Sequence, residues 1–128
     1  MSSEKPLILD FAQIGAMKSI LPRPPILSSH GAKWEGIHVE YHRQPPNQCP
    51  EHCLQQHSIG MIDSSTIGGA ILNGKRYGSQ PCQSGEMFIA AAGTDFQSYA
   101  VEEHEFMAIA LEPTDFDNRP LAKVILKG

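Results

Sequence analysis

The sequence predicts an all-β domain, an antiparallel sandwich or barrel, from its composition and from the spacing of its turns. A chain of 128 residues suits one domain with one hydrophobic core. Its 11 glycines and 10 prolines are too many for long helices. Short apolar runs between turn signals give roughly seven or eight strands with a turn every 8–12 residues, which is the spacing of a sandwich or barrel.

The N-terminal part is predicted to be an arm that leads into the first strand. Residues 1–20 carry apolar side chains at roughly helical spacing, which predicts a short helix or a docked arm. Residues 21–29 contain three prolines. These exclude a helix and favour an extended arm or edge strand.

Residues 36–44 alternate between apolar and polar side chains. One face carries Ile37, Val39 and Tyr41, and the other carries His38, Glu40 and His42. This period of two predicts a strand with one face in the core and its polar face in solvent.

The remaining strands follow at short intervals. They are predicted at Pro50–Met61 (a strand or strand pair), Ile67–Leu72, Lys75–Ser79, Met87–Ala90, Asp95–Val101 and Glu105–Leu111. Asn73-Gly74 is a strong hairpin signal, and glycine also favours a turn at Gly85 and a corner ending at Gly93. The last strand is apolar on both faces and is expected to be central, whereas residues 114–128 are predicted to be a C-terminal tail.

Charge and cysteine content exclude several classes of function. The net charge is −4 and the ten Lys and Arg residues are scattered, so we expect no direct nucleic-acid binding. No apolar stretch approaches the roughly 20 residues of a membrane span, and the N-terminus lacks the apolar region of a signal peptide. With an odd count of 3 cysteines, we expect a cytoplasmic protein with reduced thiols.

The stretch GEMFIAAAGTDFQSY (Gly85–Tyr99) resembles the second motif of the cupin superfamily. It has a glycine, five further residues, a corner of small residues ending in glycine, and then a strand. In metal-binding cupins the corner is Pro-x-Gly and a ligand histidine follows three residues after its glycine. Here Ala91 and Phe96 occupy those positions. The resemblance implies the cupin scaffold without this metal ligand.

Residues 32–62 resemble the N-terminal half of a subgroup of AraC-type transcription regulators. The matching positions are Trp34, Gly36, Ile37, Pro45, Pro46, Pro50, Glu51, His52 and His57, and the closing Leu111–Pro113 fits the same half. The resemblance covers roughly residues 20–113. It implies a cupin-like double-stranded β-helix (a jelly roll) over residues 21–113 that senses a small molecule and dimerises. We find no match to the family's DNA-binding half in this chain.

His52 and His57 lie where cupins place their first metal motif. Their spacing of five puts them on opposite faces of a regular strand, so both could reach one site only with a bulge or bend. Cys49 and Cys53 could add thiolates, which suit zinc. We expect structural or pocket-lining histidines and no cofactor. A divalent transition metal on His52 and His57 is the alternative.

The histidines at positions 38, 42 and 104 are expected to have structural or solvent-exposed roles. His38 and His42 would be about 13 Å apart on a strand that rises ~3.3 Å per residue, too far for one ion, so a solvated face is favoured. His104 stands among Glu102, Glu103 and Glu105, where neighbouring carboxylates would raise its pKa. We expect a polar start to a strand, with a pH-sensitive switch as the alternative.

Aromatic residues are candidates for a ligand cavity inside the barrel. They are Trp34, Tyr41, Tyr77, Phe88, Phe96 and Tyr99. Together with the two motif histidines, four of them form the predicted ligand-binding set, which is Trp34, His52, His57, Phe88, Phe96 and Tyr99.

The resulting hypothesis is a non-catalytic domain that binds a small molecule and forms a homodimer, similar to the regulatory half of an AraC-type regulator. No catalytic residue is assigned. The alternative is a small metal-dependent cupin enzyme of the isomerase or dioxygenase type that uses His52 and His57, with Cys49 or Glu51 as further ligands. A third possibility is a structural oligomerisation unit whose barrel is filled by side chains.

Overall fold

Two five-stranded sheets face each other in the computed structural model, which describes residues 7–32, 34–77 and 83–113. The strands described are β1 (Leu7–Leu9), β2 (Leu27–Ser28), β3 (Ile37–Gln44), β4 (Asn47–Leu54), β5 (His57–Ile62), β6 (Gly68–Leu72), β7 (Lys75–Tyr77), β8 (Met87–Ala90), β9 (Phe96–Ala100) and β10 (His104–Leu111). A 3-10 helix of 4 residues, Ala16–Ser19, lies between β1 and β2.

The chain passes back and forth between the two sheets. Sheet A has the strand order β1-β4-β9-β6-β7, and sheet B has the order β2-β3-β10-β5-β8. Every described pairing is antiparallel except the parallel pairing of β1 with β4. The prediction of an all-β jelly roll is confirmed.

The turns form where the sequence predicted them. Asn73 (φ 51°) and Gly74 (φ 82°) join β6 to β7, and two successive residues with positive φ are the signature of a tight hairpin turn. Gly93 (φ 83°) ends the small-residue corner between β8 and β9. The predicted central strand is β10, which lies between β3 and β5 in sheet B.

The polar face of β3 is buried, so the prediction that it faces solvent was wrong. Glu40 is 2% exposed, and His42 and Gln44 are both 0% exposed. On the opposite face, Tyr41 donates its hydroxyl to the carboxylates of Asp63 and Glu105. Alternation identifies two faces but does not say which one the rest of the chain will cover.

A chain of hydrogen bonds satisfies these buried side chains. Gln44 pairs with the backbone of Arg23 in both directions, accepting from its N–H at 3.0 Å and donating to its carbonyl at 2.8 Å. The same Gln44 amide nitrogen donates to His42 Nδ1 at 2.9 Å. His42 therefore carries its proton on Nε2 and donates to Glu40 Oε1 at 2.8 Å. Such partners are what a buried polar group requires.

The N-terminal segment (residues 7–32) docks on this face and on the end of the barrel. The Phe11 N–H donates to Gln56 Oε1 at 2.9 Å. The Gln56 amide nitrogen in turn donates to Asp10 at 2.7 Å and to Glu112 at 3.1 Å. Phe11 is 1% exposed, and Ile20 and Leu21 pack with Cys49 in the core.

Strand β8 lies at the edge of sheet B, which departs from the buried strand suggested by its apolar run. Met87 and Ile89 are 53% and 44% exposed because they point away from sheet A. Phe88 and Ala90 alternate with them and point inward.

Some predictions concern residues that the structure does not describe. These are the tail at 114–128, residues 78 and 79 of the strand predicted after the hairpin, and Cys82. Among the described residues, no helix is long and apolar enough to cross a membrane.

Replacing Gly68 with alanine should destabilise the fold. The added Cβ would lie 2.3 Å from the carbonyl oxygen of Tyr99 on the paired strand β9, so the backbone would have to move. We expect the free energy of unfolding to fall by about 1–3 kcal/mol, the usual cost of overpacking. Urea unfolding followed by circular dichroism measures this.

The control for that substitution is Gly60→Ala in β5, where nothing lies within 4 Å of an added Cβ. Its free energy of unfolding should change by less than about 1 kcal/mol. Equal losses in the two variants would contradict the structural explanation.

Replacing Gln56 with alanine should raise the pKa of Asp10. The Gln56 amide is the main cause that lowers this pKa, and the Ala12 N–H adds to it. A lowered pKa stabilises the fold above the unfolded value of about 3.9, and this stabilisation is lost as the pH falls through the folded value. A carbon NMR titration of the Asp10 carboxyl measures the change. Gln55→Ala, at an exposed neighbouring position, is the control, and an unchanged Asp10 pKa in Gln56→Ala would contradict the assignment.

Candidate ligand cavity

A β-bulge in β4 determines which of its side chains face the interior. Cys49 pairs with Ser98 and His52 pairs with Phe96, so three steps along β4 match two along β9. The extra residue turns Cys49 and His52 onto the same face despite their odd spacing, and they are only 7% and 3% exposed. Pro50 lies inside the bulge, where its missing N–H removes no regular ladder hydrogen bond.

The bulge also fixes the orientation of His52. Its Nδ1 lies 2.8 Å from the Pro50 carbonyl, which can only accept, so Nδ1 carries the proton and Nε2 is the acceptor. Phe96 packs edge-on against the imidazole with ring centroids 5.3 Å apart. Burial lowers the pKa of His52, which keeps the ring neutral at neutral pH.

Between the two sheets lies a cavity of about 160 Å³. Its apolar side chains include Phe11, Ile20, Leu21, Ile62, Ala70, Phe88, Phe96, Phe106 and Ala108. Its polar side chains include Asn47, His52, Gln56, Ser58, Thr66, Thr94, Ser98 and His104. Among the described residues that line it, none is Asp, Glu, Lys or Arg. The cavity is therefore largely apolar, with a few uncharged polar groups.

Thr66 lines this cavity with a hydroxyl that lacks a partner. Thr66 is 4% exposed, and its Oγ1 has almost no accessible surface and no hydrogen-bond partner. An unsatisfied buried hydroxyl costs about 1–3 kcal/mol. A ligand atom that hydrogen-bonds to Oγ1 would recover this free energy.

His104 repeats the arrangement of His52 on the opposite sheet. It is the first residue of β10, as predicted for a strand start, but it is only 8% exposed and lines the cavity. Its Nδ1 donates to the Glu102 carbonyl at 2.9 Å, which leaves Nε2 as an acceptor in the neutral ring. Phe106 stacks on His104 with ring centroids 5.7 Å apart.

The structure brings together four of the six predicted ligand-binding residues. His52, Phe88, Phe96 and Tyr99 line the cavity. Trp34 does not, and its side chain is 54% exposed. His57 does not line it either. It lies at the start of β5, where its Nδ1 accepts a hydrogen bond of 2.8 Å from the Ala92 N–H. His57 thus holds the corner after β8.

The two remaining aromatic candidates are Tyr41 and Tyr77. Tyr41 lies on the outer face of sheet B, and the side chain of Tyr77 is outside the described part of the structure.

The donor set around His52 does not fit a metal ion. No group of three or more His, Cys, Asp or Glu that could hold one occurs in residues 7–32, 34–77 and 83–113. Burial raises the pKa of the Cys49 thiol to about 11, so the thiol is protonated at neutral pH in the metal-free protein. Glu51 is exposed, and His57 does not line the cavity that contains His52.

Sequence reasoning missed several residues that line the cavity. His104, Phe106 and Ala108 alternate along β10, and this period of two was a usable signal once the strand was assigned. Ile20 and Leu21 come from a segment whose docking position depends on tertiary contacts. Thr66 carries no local signal, because its role comes from the partner that it lacks.

The pH dependence of stability should report on His52. Its folded pKa is lowered, so its contribution is complete above the unfolded value of about 6.5 and is lost as the pH falls toward the folded value. We expect an NMR titration midpoint below 6.5 for the His52 ring. We also expect a flatter dependence of unfolding free energy on pH between about 7 and 5 in His52→Gln. A midpoint above the ordinary value would contradict the burial argument.

Comparison with known proteins identifies the fold. No protein-family model matches the sequence, and no curated protein matches it. Among solved structures, a cupin protein from Bacteroides fragilis is similar with a TM-score of 0.59 and 19% identity, covering 75% of this chain and 83% of that one. A cupin-2 domain containing protein from Shewanella frigidimarina has a TM-score of 0.54 and 14% identity, covering 70% of this chain and 83% of that one.

The fold of this chain is also similar to part of an enzyme. Salicylate 1,2-dioxygenase from Pseudaminobacter salicylatoxidans has a TM-score of 0.52 and 14% identity, covering 62% of this chain and 22% of that one. These likenesses agree with the two-sheet jelly roll described above, although they include both an enzyme and proteins named only for their domain. The chain has the cupin fold.

Proposed function

We propose that this protein is a non-catalytic binding domain that takes a small, largely apolar molecule into the cavity between its two sheets. The observation that carries the proposal is the cavity itself, about 160 Å³ in volume and lined by apolar side chains around the unpaired Thr66 hydroxyl. An engineered apolar cavity of about 150 Å³ holds benzene. The expected ligand is therefore the size of one six-membered ring.

The biological role that we propose is ligand sensing, as in the regulatory half of an AraC-type regulator. Support comes from the resemblance over residues 32–62 and from a cavity whose described residues include no cluster of three His, Cys, Asp or Glu that could hold a metal ion. The expected homodimer belongs to the same proposal. Multi-angle light scattering of the purified protein tests it, and a monomer at micromolar concentration would remove dimerisation from the proposed role.

A metal-dependent enzyme is the second candidate, favoured by the position of His52 in the cavity and by the likeness to a dioxygenase. Elemental analysis of tag-free protein purified without chelators distinguishes the two. Near-stoichiometric iron, manganese, nickel or zinc that is lost in His52→Ala would support the enzyme.

A larger side chain at position 108 should fill part of the cavity and weaken ligand binding without unfolding the protein. Ala108 lines the cavity at the centre of β10, and leucine there adds bulk into the binding volume. Fluorine NMR measures binding of four ring-sized probes, namely 4-fluorophenol, fluorobenzene, 4-fluorobenzoate and 4-fluorobenzylamine. We expect the wild type to bind at least one probe saturably and Ala108→Leu to bind it at least about tenfold more weakly.

Met107→Leu is the matched control, since it changes the next residue of the same strand on the outer face with little change in volume. It should bind like the wild type. Saturable binding that survives in Ala108→Leu would place the ligand elsewhere, and no saturable binding of any probe by the wild type would overturn the proposed function.

A further inference from the structure

The lining of the cavity disfavours charged ligands. None of the described side chains that line it carries a charge. A carboxylate or ammonium group taken from water into such a site needs an opposite charge or several hydrogen bonds, and without them burial is strongly unfavourable. The acidic side chains close to the lining already accept hydrogen bonds from the protein, Glu40 from His42 and both Asp10 and Glu112 from the Gln56 amide. His52 does not replace a cationic anchor, since burial lowers its pKa and keeps its ring neutral at neutral pH.

The polar groups that remain have complementary hydrogen-bonding roles. His52 and His104 each donate Nδ1–H to the carbonyl two residues earlier, at 2.8 and 2.9 Å. Each therefore presents Nε2 as an acceptor, and neither Nε2 has a hydrogen-bond partner among the described residues. The Thr66 hydroxyl can both donate and accept. A ligand hydroxyl group is the uncharged counterpart of this set, because it donates to an imidazole nitrogen and accepts from a threonine.

A ligand without polar atoms would leave Thr66 unsatisfied in the complex. A ligand with several polar groups would leave some of them against Phe88, Phe96 and Phe106, which supply much of the apolar surface. Volume limits the remainder of the molecule to about one ring.

From this chemistry we infer that the cavity takes an uncharged, ring-sized alcohol or phenol, with its hydroxyl hydrogen-bonded to Thr66 and to Nε2 of His104, whose end of β10 lies beside the segment that carries Thr66. The inference rests on the proposed function, because it specifies the ligand class of the same cavity. It also makes a claim that the proposed function does not require. The cavity should bind a neutral hydroxyl compound more tightly than a carboxylate or an amine of similar size.

The test compares the four probes on the full chain at pH 7.5. We expect 4-fluorophenol to bind most tightly, fluorobenzene about three- to tenfold more weakly, and 4-fluorobenzoate and 4-fluorobenzylamine more weakly still. Binding of the benzoate or the amine as tight as that of the phenol, lost in Ala108→Leu, would overturn the inference and leave the proposed function standing. Failure of all four probes would overturn the proposed function as well.

The Thr66→Val variant tests whether Thr66 binds the ligand through a hydrogen bond or only through packing. Valine has nearly the same shape and removes the unsatisfied hydroxyl, so the ligand-free variant should be at least as stable as the wild type in thermal unfolding. Its affinity for 4-fluorophenol should fall about three- to tenfold, while its affinity for fluorobenzene should stay the same or rise. Equal changes for the two compounds would show that Thr66 makes no hydrogen bond to the ligand and would overturn the assignment.

Discussion

The buried polar face of β3 is the constraint on which the rest of the structure depends. Glu40, His42 and Gln44 can lie inside a barrel only if each finds partners, since an unpaired buried polar group costs free energy comparable to a lost hydrogen bond. The backbone of Arg23 completes this set from the N-terminal segment. His30 approaches the other end, with its Nδ1 3.8 Å from Glu40.

Covering the polar face has a second consequence. The same N-terminal segment brings Phe11, Ile20 and Leu21 against the cavity, so the docked segment forms part of the cavity wall. The rings of Phe11 and His38 flank His30 at centroid distances of 6.5 and 6.2 Å, which gives the segment an apolar as well as a polar attachment. Weakening either attachment should therefore disturb the ligand cavity.

The sequence was informative where a local rule decides the structure and uninformative where the decision is tertiary. Asn73-Gly74 forms its hairpin because a tight turn needs two residues with positive φ. The inward direction of His42 depends on a segment some twenty residues earlier in the chain, which alternation cannot reveal. The bulge that turns His52 inward was identified as a requirement for a site at odd spacing, but nothing local placed it between Cys49 and His52 rather than between the two motif histidines.

The partners of the histidines support the proposal that the cavity binds a ligand. All 6 lie in the described chain, and most are committed to protein partners. His42 is bonded to Glu40 and Gln44, His38 to Glu112, His30 to the Phe11 carbonyl and His57 to the Ala92 amide. Of the six, only His52 and His104 line the cavity, and their Nε2 atoms, on opposite sheets, have no hydrogen-bond partner among the described residues.

Two isolated nitrogen acceptors do not form a metal centre, which needs three or four converging donors. They are well suited to receive hydrogen bonds from a neutral ligand, for which separate and fixed acceptors provide orientation without a charge. Fold alone would permit either role, since one scaffold supports many functions. The commitment of the other histidines to the folded structure is the physical reason for proposing recognition rather than metal chemistry for this cavity.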